Sequence, residues 1–128
     1  MTSRLIDRQT VKDYLRDGVV LLPGVFDDWI STLTEGARRN SASPSHRALR
    51  HDGDGNGGQF LEDFCCWRSI PQYEDFVLRS SMGQIAAALM ESRTAQFFHD
   101  HYLDKAARSS VPTPWHQDMP YYFVEGEQ

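Results

Sequence analysis

The chain has 128 residues, of which 40% are hydrophobic and 24% charged, the make-up of one ordinary globular domain with a single core spanning residues 1–128. Its formal charge of -5 and pI near 5.4 speak against nucleic acid or an anionic membrane as partner, because both are gripped by clustered Lys and Arg. The longest apolar run, Val19 to Leu22, is too short to span a bilayer and the N-terminus lacks the layout of a secretory signal, so the cytoplasm is the expected compartment.

In chain order, Asp7 is a candidate N-cap, and Val11, Tyr14 and Leu15 recur at helical spacing, which predicts a short amphipathic helix over residues 8–17 stopped by Gly18. Val19-Val20-Leu21-Leu22 has the composition of a buried strand, ended by the Pro23-Gly24 turn. A second helix is expected from Asp27 or Asp28 to Arg38-Arg39, with Trp29, Leu33 and Ala37 on one face. Residues 41–59 are polar and glycine-rich and are expected to form a mobile loop, with His46 and His51 solvated. Asp52, Asp54 and Asn56 alternate as in a calcium loop, but no Glu closes the twelfth position and the glycines fall elsewhere. A phosphate-binding glycine loop is also disfavoured, because no Lys-Ser or Lys-Thr follows.

Phe60 to Trp67 carries enough aromatic weight to return to the core as a short strand or irregular segment. The adjacent Cys65 and Cys66 cannot pair with each other as a disulfide framework and are read as half-buried thiols. Pro71 opens a helical pattern in which Met82, Ile85, Ala86 and Leu89 form an apolar face, with a break expected near Ser80, Ser81 or Gly83, and the stripe is expected to cover the outside of a sheet. Over residues 94–105, strand alternation would put Phe97, His99, His101, Leu103 and Lys105 on one face and Phe98, Asp100, Tyr102 and Asp104 on the other. Two polar faces interleaved with aromatics suit the wall of a wet, charged pocket.

Pro112 and Pro114 bias the next segment towards extended geometry and would deliver Trp115 and His116 into a strand. His116 and Asp118, one residue apart, place an imidazole nitrogen and a carboxylate on the same side of an extended backbone. Such a pair can hold two adjacent corners of one metal ion, and mixed nitrogen and oxygen ligation with open positions suits non-haem iron(II), whose usual set is two histidines and one carboxylate. Tyr121, Tyr122 and Phe123 follow as an aromatic ledge able to stack on a substrate or simply to cap the barrel mouth. The plain alternative is a surface histidine beside a turn-forming Asp.

The run Thr113-Pro114-Trp115-His116-Gln117-Asp118-Met119-Pro120-Tyr121-Tyr122-Phe123-Val124-Glu125-Gly126 resembles the metal-binding segment of the phytanoyl-CoA dioxygenase family, iron(II)- and 2-oxoglutarate-dependent oxygenases. Asp17-Gly18-Val19-Val20-Leu21-Leu22-Pro23-Gly24-Val25-Phe26 and Phe98-His99-Asp100-His101-Tyr102-Leu103-Asp104-Lys105 are similar to that family's opening and to the strand before its ligand pair, while residues 40–91 carry little that is diagnostic. The resemblance implies an α+β fold, a jelly-roll or cupin-like double-stranded β-helix with N-terminal helices packed on one sheet. It implies iron(II) on His116 and Asp118, 2-oxoglutarate as co-substrate, dioxygen as oxidant and hydroxylation of an aliphatic carbon of a small molecule. It also makes His99, His101 and Lys105 candidates for holding 2-oxoglutarate or the substrate, with Trp115 packed beside the metal at the pocket rim, and Trp115, Tyr121 and Tyr122 as substrate contacts.

The family's second histidine, and the arginine that pairs with the far carboxylate of 2-oxoglutarate, come from later strands, and no His or Arg follows Asp118 in this sequence. The expectation is therefore the N-terminal portion of a longer oxygenase, a truncated gene product or one piece of a complex, with an incomplete barrel whose open strand edges favour self-association. Two rival classes remain: a non-catalytic binding module on a degenerate oxygenase fold, and a cupin-type metal protein using His99 and His101.

Overall fold

The computed structural model describes residues 6–51 and 58–122. Helix α1 (Arg8–Asp17) is followed by a 3₁₀ turn (Asp27–Trp29) and helix α2 (Ile30–Ala42), then strands β1 (Leu49–His51) and β2 (Phe60–Phe64). Helices α3 (Pro71–Arg79) and α4 (Met82–Leu89), strand β3 (His101–Lys105) and a 3₁₀ turn (Met119–Tyr121) complete the described chain. This is an α+β arrangement of four helices and a three-stranded antiparallel sheet in the order β1-β2-β3. No helix among the described residues is long and apolar enough to cross a membrane.

Local chemistry accounts for the helix ends. Asp7 accepts from the Thr10 amide at 2.7 Å and from its hydroxyl at 2.8 Å, which satisfies a donor left free in the first turn and holds the Asp7 carboxyl below its ordinary pKa. Gly18 ends α1 in the left-handed region at φ 72°, its N–H closing on the Tyr14 carbonyl. Pro71 occupies the first turn of α3, where its missing N–H costs nothing. At Ser80 and Ser81 the chain breaks between α3 and α4, where the sequence places the interruption.

Register assigns every strand residue to a face. Leu49 stands opposite Glu62, and His51 opposite Phe60; Phe60 faces Lys105, Glu62 faces Leu103, and Phe64 faces His101. Those residues share one side of the sheet, and Arg50, Leu61, Asp63, Tyr102 and Asp104 share the other. The second side meets the helices. The Ser41 hydroxyl at the end of α2 lies 2.9 Å from the Tyr102 hydroxyl and donates to Asp104 at 2.9 Å, while the Asn40 amide donates to Cys66 Sγ at 3.4 Å. Asp63, fully buried, accepts from the backbone N–H of Ser45 at 2.8 Å and from its hydroxyl. Gly36 lets α2 and α3 approach, since a Cβ there would sit 2.6 Å from Tyr73 Cε1.

Four sequence expectations change. Val19 to Leu22 is not a strand: Val19 is 70% and Leu21 84% exposed, because among the described residues no neighbouring strand reaches them and the four-residue run cannot form a ladder alone. The polar segment 41–59 contains β1, and His51 is half-buried, since one side of that strand contributes to the sheet face despite its polar sequence; the candidate calcium residues Asp52, Asp54 and Asn56 lie outside the described residues. The apolar stripe of α4 buries Ile85 and Leu89, and α4 packs on α1. The strand expected over residues 94–105 is ordered as such only from His101. Asp100 is instead drawn into the turn after β2, accepting from Cys66 N–H at 3.1 Å and S–H at 2.8 Å and from Trp67 N–H at 3.1 Å, while its carbonyl accepts from Cys65. That pinning shifts the alternation upstream: Phe97 packs on Trp67, and Phe98 and His99 both turn towards Tyr122.

Candidate metal and substrate site

The sheet face turned away from the helices forms one wall of an open cavity of about 1130 Å³, bordered on the opposite side by residues 111–122. Strand β2 sets the character of the wall, because Phe60, Glu62 and Phe64 alternate with the buried Leu61 and Asp63. Glu62 stands at its centre. One carboxylate oxygen bonds His51 Nε2 at 3.0 Å and the other His101 Nε2 at 3.1 Å, so a single acid on the middle strand ties together rings from both outer strands. Each ring is held flat against the neighbouring phenylalanine: His51 over Phe60 at 5.2 Å and His101 over Phe64 at 4.0 Å between centroids.

On the opposite side, His116 Nδ1 lies 2.8 Å from the Pro114 carbonyl. A carbonyl can only accept, so this bond puts a ring proton on Nδ1 and makes Nε2 the nitrogen through which the ring would meet a metal ion. Nε2 points to Asp118 Oδ1 at 3.3 Å. Two donors bound at about 2.1 Å to adjacent octahedral corners stand about 3.0 Å apart, so the pair fits two cis positions of one ion after a small adjustment. Both side chains are partly open to solvent and border the cavity. Among the described residues, no group of three or more His, Cys, Asp or Glu side chains is arranged to hold a metal ion, so the fit extends to two ligands.

The remaining candidate residues divide. His99 borders the cavity and packs on Tyr122 at 5.0 Å between centroids, whereas His101 has given Nε2 to Glu62. His99 and His101 therefore reach the same cavity in different company, one against an aromatic ring and one on a carboxylate. The Lys105 ammonium donates to Thr113 Oγ1 at 3.0 Å and rests 4.7 Å over the Phe60 ring, linking the wall to the segment opposite. Tyr121 and Tyr122 line the cavity, and Tyr121 meets the His116 ring edge-on. Trp115 departs from expectation: it is fully exposed and does not pack at the pocket rim, since the segment carrying it pairs with no strand and its neighbour His116 takes the inward direction.

Glu62 and His51 are the site residues that sequence reading passes over. Phe60-x-Glu62-x-Phe64 did carry the signal, an acid between two aromatics on one strand face, but its partner His51 is hidden in a segment whose composition reads as loop. Cys66 plays no part in the cavity; burial pushes its thiol up to about 12, with Asp100 adding to the shift, which makes it an inert core residue. No family model, curated protein or solved structure matches the chain.

Proposed function

We propose that the chain carries the iron-holding face of a non-haem iron(II)- and 2-oxoglutarate-dependent dioxygenase of the phytanoyl-CoA dioxygenase type, hydroxylating an aliphatic carbon of a small molecule, with the three strands forming part of a double-stranded β-helix. The observation that carries this reading is the convergence of His116 Nε2 and Asp118 Oδ1 at 3.3 Å beside a cavity lined with aromatic and titratable side chains. Iron(II) with 2-oxoglutarate and dioxygen supplies the oxidising chemistry, giving succinate, carbon dioxide and a hydroxylated substrate. The chain's own residues do the rest. Pro114 keeps the His116 proton on Nδ1, Asp118 contributes an anionic oxygen to offset the charge of the ion, and Phe98, Tyr121 and Tyr122 provide apolar surface against which a substrate carbon is held away from water.

Anaerobic equilibrium dialysis against iron(II) tests the reading. One weak, saturable equivalent is expected, with affinity falling about tenfold or more in His116→Ala and in Asp118→Ala. Equal binding by both variants and the wild type overturns it. Two protein ligands leave the ion loosely held, so residues 1–128 are expected to make no succinate above background, and robust succinate formation contradicts that expectation.

The absence of a three-ligand group among the described residues favours a second reading, a non-catalytic binding module on an oxygenase-like scaffold. That module would take up no iron and would lose no ligand binding on His116→Ala.

A further inference from the structure

We propose that the wall built by β1, β2 and β3 binds the ammonium group of an amine with an aromatic or apolar body, and that Glu62 is its acceptor. For turnover this rests on the dioxygenase reading, whose substrate class it names; for binding it stands alone. Glu62 has 18% of its side chain exposed and borders the cavity. A carboxylate offers about four acceptor positions, and the bonds to His51 and His101 use one on each oxygen. Each of those bonds needs only the single proton that a neutral imidazole carries, so the two rings orient the carboxylate without requiring a counter-charge of their own. An acceptor held in place from two sides loses little freedom when a third donor arrives.

The surroundings select a cation with an apolar body. Phe60 and Phe64 flank Glu62 on the same strand face, and Phe98 and Tyr122 line the same cavity. Aromatic faces attract an ammonium through the ring quadrupole. One ammonium already rests there, the Lys105 Nζ 4.7 Å over Phe60, and among the described residues its charge is bonded to a hydroxyl of Thr113 and not to an acid. A carboxylate ligand would meet Glu62 as a like charge, and a neutral alcohol would gain only a neutral hydrogen bond. At about 1130 Å³ the cavity has room for a drug-sized body beyond the charged end.

Benzylamine, benzyl alcohol and phenylacetate, titrated calorimetrically into metal-free protein, decide the matter. Benzylamine is expected to bind about tenfold more tightly than benzyl alcohol, with phenylacetate the weakest. Glu62→Gln is expected to bring benzylamine and benzyl alcohol within about twofold of each other, and Lys105→Met, which clears the Phe60 face, to tighten benzylamine by about threefold. Phenylacetate binding as tightly as benzylamine overturns the proposal, and so does an amine preference that survives Glu62→Gln. Should Glu62→Gln fail to fold, the wild-type ranking of the three probes decides. Lost iron binding with the amine preference intact would sink the dioxygenase reading alone; the reverse would sink this proposal alone.

Discussion

Glu62 and Asp63 are adjacent carboxylates on one strand, and their surroundings could hardly differ more. Asp63 faces the helices, is fully buried and has its oxygens filled by the backbone and hydroxyl of Ser45. Glu62 faces the cavity, keeps part of its surface in solvent and bonds one histidine through each carboxylate oxygen. The same division runs along β3, where Tyr102 and Asp104 are bonded into α2 while His101, Leu103 and Lys105 look outwards. Alternate residues of the same three strands therefore serve separate ends: one set closes the domain, and the other is left with unused bonding capacity and so can meet a ligand.

That contrast can be broken most severely on the helix-facing side. Asp63→Ala removes the acceptor of two Ser45 donors in a closed site and is expected to cost about 3 kcal/mol in urea unfolding, against under about 1 kcal/mol for Glu62→Ala. Near-equal costs would erase the distinction between the faces. Gly36→Ala comes next, at about 2 kcal/mol, because the new methyl group collides with the Tyr73 ring and the helix-propensity gain of alanine only partly offsets it. A stabilised Gly36→Ala protein would show that α2 and α3 are not in close contact.

A smaller effect sharpens the comparison through pH. Burial raises the Cys66 thiol from about 9 to about 12, so its neutral form is favoured in the fold while the unfolded chain begins to ionise near the ordinary value. The Cys66 contribution to stability is thus complete below about pH 9 and lost as pH rises from there towards about 12. Native protein at pH 8 is expected to take up one equivalent of iodoacetamide, at the exposed Cys65, and a second only on unfolding. Rapid double alkylation of folded protein would contradict the closed character of that side.

How much of this was legible in the sequence follows the same division. Helix α1 with its Asp7 and Gly18 ends, the position of α2 and the break between α3 and α4 depend on local capping and periodicity, which a sequence displays directly. Strand β1 was not legible, because three residues in a polar stretch gain their conformation only from β2 beside them. The face assignment before His101 failed for a similar reason: Asp100 is diverted by backbone donors of Cys66 and Trp67, more than thirty positions earlier in the chain. The spacing of His116 and Asp118 was visible, whereas the Pro114 carbonyl that sets the ring and the Glu62 link between His51 and His101 emerge only from tertiary geometry.

The smallest structural perturbation carries the greatest functional weight. His116→Ala is expected to change stability by less than about 0.5 kcal/mol, since the side chain is open to solvent, while removing one of two proposed ligands. The most direct examination is paramagnetic broadening of assigned histidine and backbone resonances on anaerobic addition of iron(II). Broadening centred on His116 and Asp118, fading towards His51 and abolished in His116→Ala, is the expected result. Broadening centred on His99 and His101, or no localised broadening at all, would contradict a shared metal position on the segment facing the sheet.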